Sequence, residues 1–243
     1  MPRPLIDLMW RDSPGAPGGG RRGPKARHST GDVVSKAIDI ADAGGLAAVT
    51  VRGLAQALDM TAMSVYTHVN SRDDLLVLMT DYVYAQMPKA SFGRSAWHTR
   101  ARRVAEDNLA LLGAHAWLLD IDDPRTALGP GTIAKYDHEL QVFDGTTISD
   151  LHRDAALTFL LDFVRSSAGR IVRTPLTVPD FGALWEQSSH RLANYLGEDF
   201  PLAQRVGGVA GEAMNAPYDA AQAWEFGLAR VIAGLEGLIS QPT

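Results

Sequence analysis

Apolar residues recur three and four positions apart along most of the chain, and no stretch alternates with the two-residue period of a strand. The first clear helix opens at Ser29, with Asp32 at capping-box spacing, and carries Val33, Ala37, Ile38, Ile40 and Ala41. Gly44-Gly45 stops it. A second helix over 50–58 presents Leu54, Ala55 and Leu58 on one face. A tight turn, Asp59-Met60-Thr61, leads into a short third helix over 62–69. Ser71 caps a fourth over 72–87, with Asp74 at the capping-box position and a stripe of Leu75, Leu76, Leu78, Met79, Tyr82 and Val83; Pro88 ends it. Helical spacing continues over 97–112, 116–121, 130–143, 148–168, 180–196 and 219–239. A loop with Pro175 and Pro179 interrupts this series, and 197–217 reads as irregular. The predicted fold is all-α.

Composition narrows the classes. Hydrophobic residues make up 46% of the 243 positions, enough for a sizeable core, so wholesale disorder is excluded. Cysteine is absent, which removes disulfide scaffolds, thiolate catalysis and Cys-ligated zinc. No apolar run approaches the roughly 18 residues of a spanning helix, and the start of the chain is a poor signal peptide. The expectation is a cytoplasmic protein without membrane contact.

The net charge of −5 argues against a nucleic-acid partner, but its distribution argues for one. The segment through Thr30 carries +4, the segment through Arg72 +3, and the remainder −8. A basic front on an acidic body suggests a polyanion contact at one end; a solvated basic tail is the alternative. Residues 1–28, rich in Pro, Gly and Arg, read as a disordered basic arm, with Arg21, Arg22, Lys25 and Arg27 placed either to follow a DNA backbone or to remain in solvent. The short apolar piece around Leu5, Leu8, Met9 and Trp10 has no predicted docking place.

Helix, glycine-containing turn, helix, tight turn, helix, within about 40 residues, is the shape of a helix-turn-helix unit. Two short helices must cross closely, which Ala55 permits, and the turn needs a residue that tolerates a left-handed conformation. Met60, Val65 and Val69 supply anchors that would hold the last helix outward. Its outer face then offers Thr61, Met63, Ser64, Tyr66, Thr67 and His68, side chains suited to groove edges and phosphates.

The run Thr50-Val51-Arg52-Gly53-Leu54-Ala55-Gln56-Ala57-Leu58-Asp59-Met60, followed by Ala62-Met63-Ser64-Val65-Tyr66-Thr67-His68-Val69, closely resembles the DNA-binding domain of the Tet repressor (TetR) family. Asn70-Ser71-Arg72-Asp73-Asp74-Leu75-Leu76 is similar to that family's link into its fourth helix. Trp97, the stretch Leu112 to His115, and Glu225-Phe226-Gly227-Leu228 with Ile232-Ala233-Gly234-Leu235-Glu236 resemble the tetracycline-repressor branch. One departure stands out: Asp59 occupies the turn position where the family usually has glycine.

The resemblance implies a helix-turn-helix domain over 29–72, a linking helix over 72–87, and a helical effector-binding and dimerisation domain over 88–243. It implies a homodimer through the helices at 148–168 and 219–239, reading a palindromic double-stranded DNA operator with half-site centres about 34–36 Å apart, or a multiple of that. Arg52 is the candidate for a guanine, because its fork matches O6 and N7. Ala62, Met63 and Ser64 stand at base-reading positions, Tyr66 and His68 at phosphate positions, and Thr50 and Arg72 at backbone anchors.

For an unidentified small-molecule effector, Val104 and Asn108 match pocket positions of the branch. Trp117, Tyr136, His138, Phe159, Phe163 and Trp185 are further candidates, each with core packing as the alternative. Pro88 and Asp122 stand where the branch has histidines, so neither tetracycline nor magnesium is expected, and no cofactor. Asp137-His138-Glu139 point different ways on a helix and make no metal site. No nucleotide-binding or hydrolase motif occurs. The resulting expectation is a ligand-responsive repressor that is not an enzyme. The competing reading is a helical small-molecule binding protein or enzyme with a vestigial front domain.

Overall fold

The computed structural model describes residues 3–14, 27–177, 181–214, 216 and 218–240. They form eleven α-helices with short 3-10 turns between them, and no strand among the described residues. In order these are α1 (Leu5–Met9), α2 (Thr30–Gly44), α3 (Val51–Ala57), α4 (Ala62–Val65), α5 (Arg72–Gln86), α6 (Trp97–Ala114), α7 (Pro130–Leu140), α8 (Asp150–Thr177), α9 (Phe181–Leu196), α10 (Pro201–Met214) and α11 (Ala220–Ile239). Packing divides them into two compact units, residues 1–157 and 158–243.

The caps fall where the sequence puts them. Ser29 accepts from the Asp32 N–H while Asp32 accepts from the Ser29 N–H, a reciprocal capping box on α2. Ser71 caps α5 by accepting from the Asp74 N–H, but the expected capping box is only half formed, because the Asp74 carboxylate accepts from Asn70 Nδ2 and Arg125 Nη1 instead. Val33, Val34, Ala37, Leu54, Val65, Leu75 and Val77 are fully or almost fully buried. They tie α2, α3, α4 and α5 into one small headpiece.

Four stretches depart from the sequence reading. Within the segment expected to be a disordered arm, α1 forms and buries Leu8 and Met9; the Trp10 indole donates to the Leu128 carbonyl at 2.8 Å. Burial against α5 supplies the ordering energy that local composition does not reveal. Arg21, Arg22 and Lys25 lie outside the described residues. Helix α8 runs to Thr177, through Pro175, instead of ending near 168. One missing backbone donor does not stop a long helix close to its end. The stretch expected to be irregular at 197–217 contains α10, whose glycines at 207, 208 and 211 hide its helical spacing. The recognition element is α-helical only over Ala62–Val65, and continues as turns whose His68 and Val69 N–H groups both reach the Val65 carbonyl.

Two close approaches position the rest of the first unit. A Cβ on Gly131 would collide with the Asp81 carbonyl oxygen, so glycine there lets the start of α7 lie directly on α5. The Asp81 carboxylate then accepts from the Thr132 N–H at 2.8 Å and caps α7 from a neighbouring helix. Burial pushes this carboxyl above its usual range, and the bonds from Thr132 pull it part of the way back.

Candidate nucleic-acid interface

The turn that aims the recognition helix depends on Asp59. It is the single non-glycine residue with positive φ among those described, at 50°. The Met60 N–H reaches the Ala55 carbonyl at 2.9 Å and the Asp59 N–H reaches Gln56 at 3.3 Å, the paired bonds of a left-handed helix C-terminus. The sequence expectation of a left-handed residue at this point therefore has its geometry. Asp59 also faces Arg27 at 3.0 Å, an exposed pair of little energetic weight.

Beyond the turn, Thr61 caps α4 by accepting from the Ser64 N–H, and its hydroxyl lies 2.8 Å from the Ser64 hydroxyl. Val65 and Val69 point into the headpiece core. The opposite face is bare: Met63 is 76% exposed and Tyr66 49% exposed. Adjacent exposed apolar side chains on one face are the kind of surface that meets a partner. Ala62, Thr67 and, on α3, Arg52 are exposed beside them. Thr50 caps α3 by accepting from the Gly53 N–H.

Two residues of the predicted set sit differently. His68 is half-buried, with Nδ1 3.3 Å from the Thr30 hydroxyl at the start of α2. Burial, with help from the neighbouring His28, holds its pKa below the ordinary imidazole range, which favours the neutral ring. Arg72, read as a phosphate anchor, commits Nη2 to the Leu46 carbonyl at 2.8 Å and Nε to that of Val49 at 3.2 Å. It staples the loop before α3 to the start of α5.

The effector candidates divide. Val104, Asn108 and His138 come together around a buried ion pair that sequence reading overlooked, Lys135 Nζ to Glu139 Oε2 at 2.6 Å. Asn108 donates to Glu139 Oε1 at 2.6 Å, and His138 stacks on Phe92 at 4.8 Å. Lys135 also lies over the Tyr84 ring of α5. Burial lowers the pKa of Lys135, and Glu139 opposes that shift. The i, i+4 spacing of 135 and 139 was a legible signal for the pair. Trp117 belongs elsewhere: it is buried, and its indole donates to Asp42 of α2. Tyr136 is exposed and donates to Asp154 at 2.8 Å. In the second unit Phe163 stacks on Trp224 at 5.4 Å beneath Gly227, Phe159 is exposed, and Trp185 lines a cleft between α9 and α10. Among the described residues no group of three His, Asp or Glu converges as a metal site. No helix among them is long and apolar enough to cross a membrane.

The family model described as tetracyclin repressor-like, C-terminal domain, matches residues 89–239. The HTH-type transcriptional repressor DrrR1 of Streptomyces coeruleorubidus is 29% identical over 247 residues, covering 97% of this chain and 86% of that protein. The apo structure of ActR from Streptomyces coelicolor superposes with a TM-score of 0.71 at 24% identity, over 89% of this chain and all of that one. A second structure, the TetR family protein ActR in complex with (S)-DNPA, gives 0.68 at 26% identity, over 87% and 98%. With a bare recognition helix at one end and a regulatory-domain match over more than half of its length, the chain belongs to the TetR family of helix-turn-helix, DNA-binding transcriptional regulators.

Proposed function

We propose that this protein is a cytoplasmic, homodimeric repressor that leaves a palindromic operator when a small-molecule effector binds, and that it has no catalytic activity of its own. The observation that carries the reading is the bare face of α4 and the turn after it, where Met63 and Tyr66 stand in solvent on an element anchored by Val65 and Val69. In this reading the headpiece covers 29–72, α5 is the lever over 72–87, and 88–243 is the regulatory domain. Arg52 takes a guanine; Ala62, Met63 and Ser64 meet base edges; Thr50, Thr61, Tyr66, Thr67 and His68 meet the backbone.

ActR, which shares this fold, has been solved in complex with actinorhodin, and that supports a small-molecule effector here. The ion pair of Lys135 and Glu139, with Asn108, Val104 and His138, is the polar centre we assign to that response. A buried pair of this kind seldom adds net stability, whereas it can favour one packing of three helices over another. Exposed Phe159 on α8 and Phe226 on α11 support dimerisation through those helices.

Selection of bound sequences from a random DNA pool, followed by footprinting, tests the proposal. The expected result is a palindrome whose half-sites lie about one helical turn, or a multiple of it, apart. Affinity should fall steeply with salt, since phosphate contacts release counterions. Protein that retains no sequence, or whose DNA affinity ignores salt, would favour the vestigial-domain reading instead.

A further inference from the structure

Helices α9 and α10 run side by side and flank an open cleft of about 470 Å³ in the second unit. That volume lies within the usual range for small-molecule sites. The helices are pinned together at two places. Near one end the ring of Trp185 lies where a side chain on Gly211 would be, and near the other Gln204 Nε2 donates to the Ala193 carbonyl at 3.2 Å.

Between these pins Gly207 and Gly208 line the cleft on α10. Both stand inside a helix, where glycine is less stable than alanine. Neither is required by packing, because a Cβ on either would meet nothing within 4 Å. What their missing side chains do provide is space in the cleft.

The lining has a definite chemistry. Trp185 contributes an indole, and Leu192 and Leu196 an apolar wall. Glu186 and Glu212 bring two carboxylates against one imidazole, that of His190, and no lysine or arginine is present among the described lining residues. An indole beside carboxylates attracts a positive charge, through the ring quadrupole and through Coulomb's law together.

We propose that the α9–α10 cleft is a binding site for an amphipathic organic cation with a flat apolar body. The site shares no residue with the Lys135–Glu139 centre assigned above, and binding there does not depend on the operator reading.

The test compares two fluorogenic probes of similar size on the full chain, cationic thioflavin T and anionic 8-anilinonaphthalene-1-sulfonate. The expected result is saturable thioflavin T binding at least tenfold tighter than that of the anion. Gly207→Leu, which fills the cleft, should abolish it, and Glu212→Gln should weaken it several-fold while leaving the fold intact. Operator binding by the same protein samples, measured without dye, separates failure of this site from failure of the regulator reading. Equal affinity for the two probes, or full thioflavin T binding by Gly207→Leu, would overturn the proposal. So would dye release as the protein self-associates, because a second copy would then occupy the cleft.

Discussion

The indole Nε1 of Trp117 donates to Oδ1 of Asp42 at 2.6 Å, and the Nδ1 of His115 lies 2.8 Å from the same oxygen. Asp42 is on α2 in the headpiece; the two rings come from the turn after α6, more than 70 residues later. One carboxylate oxygen therefore ties α2 to the turn after α6. Trp117→Phe keeps most of the ring packing and removes the donor. It should cost about 1.5–3 kcal/mol, the range for a hydrogen bond to a charged group, read from denaturant unfolding. An unchanged midpoint would show that this bond adds nothing.

The bare recognition face makes a separate claim about base reading. Arg52→Ala should relax preference at one base pair of the operator and weaken binding by about 1–3 kcal/mol. If it instead weakened all sequences alike, Arg52 would be a phosphate contact. Selection with the variant, compared position by position with the parent, decides between the two.

Asp59 holds a φ of 50°, where β-branched side chains are strained. Asp59→Val should destabilise the headpiece by about 1–3 kcal/mol, whereas Asp59→Gly should fold at least as readily at this turn. Thermal unfolding of the two variants side by side measures the difference. Equal stability would mean that the turn relaxes to another geometry.

Asp81 carries a pH prediction. Burial raises its folded pKa above the unfolded carboxylate value, so the folded state holds its proton more tightly than the unfolded chain. This group therefore lowers stability as pH rises from the ordinary carboxylate range to the higher folded pKa, and the loss persists above it. Asp81→Asn keeps an acceptor for Thr132 and removes the titration. Its unfolding free energy should lack that pH-dependent loss, and a pH series on both proteins checks this. Gly131→Ala tests the same junction sterically and should cost about 1–3 kcal/mol by forcing α7 off α5.

The Lys135–Glu139 pair is a test of buried charge. Glu139→Gln leaves the ammonium without its counter-ion and should cost about 3–5 kcal/mol. Replacing both residues together, Lys135→Met with Glu139→Leu, should recover most of that loss. A double variant no better than the single one would mean that the surrounding packing, and not the unpaired charge, dominates.

Much of the headpiece was legible because its signals are local. Ser29 with Asp32 and Ser71 with Asp74 mark helix starts through bonds three residues long, and Asp59 marks a turn through its own φ preference. The outward face of α4 followed from the helical spacing of Val65 and Val69, which marks the opposite, buried face. The effector candidates were much less legible: a buried aromatic on a helix reads the same whether it lines a pocket or fills a core. Nothing local linked Asp81 to Thr132 or Asp42 to Trp117.

By itself, the sequence determined the helical class, the cap positions and the recognition face, since each depends on residues within a few positions of one another. Tertiary structure alone decided that Leu8 and Met9 dock on α5, that Arg72 staples a loop, that Asp81 caps α7, and that Trp117 reaches Asp42. Those outcomes depend on which surfaces meet across 50 or more residues in several cases, and local periodicity carries no information about such meetings.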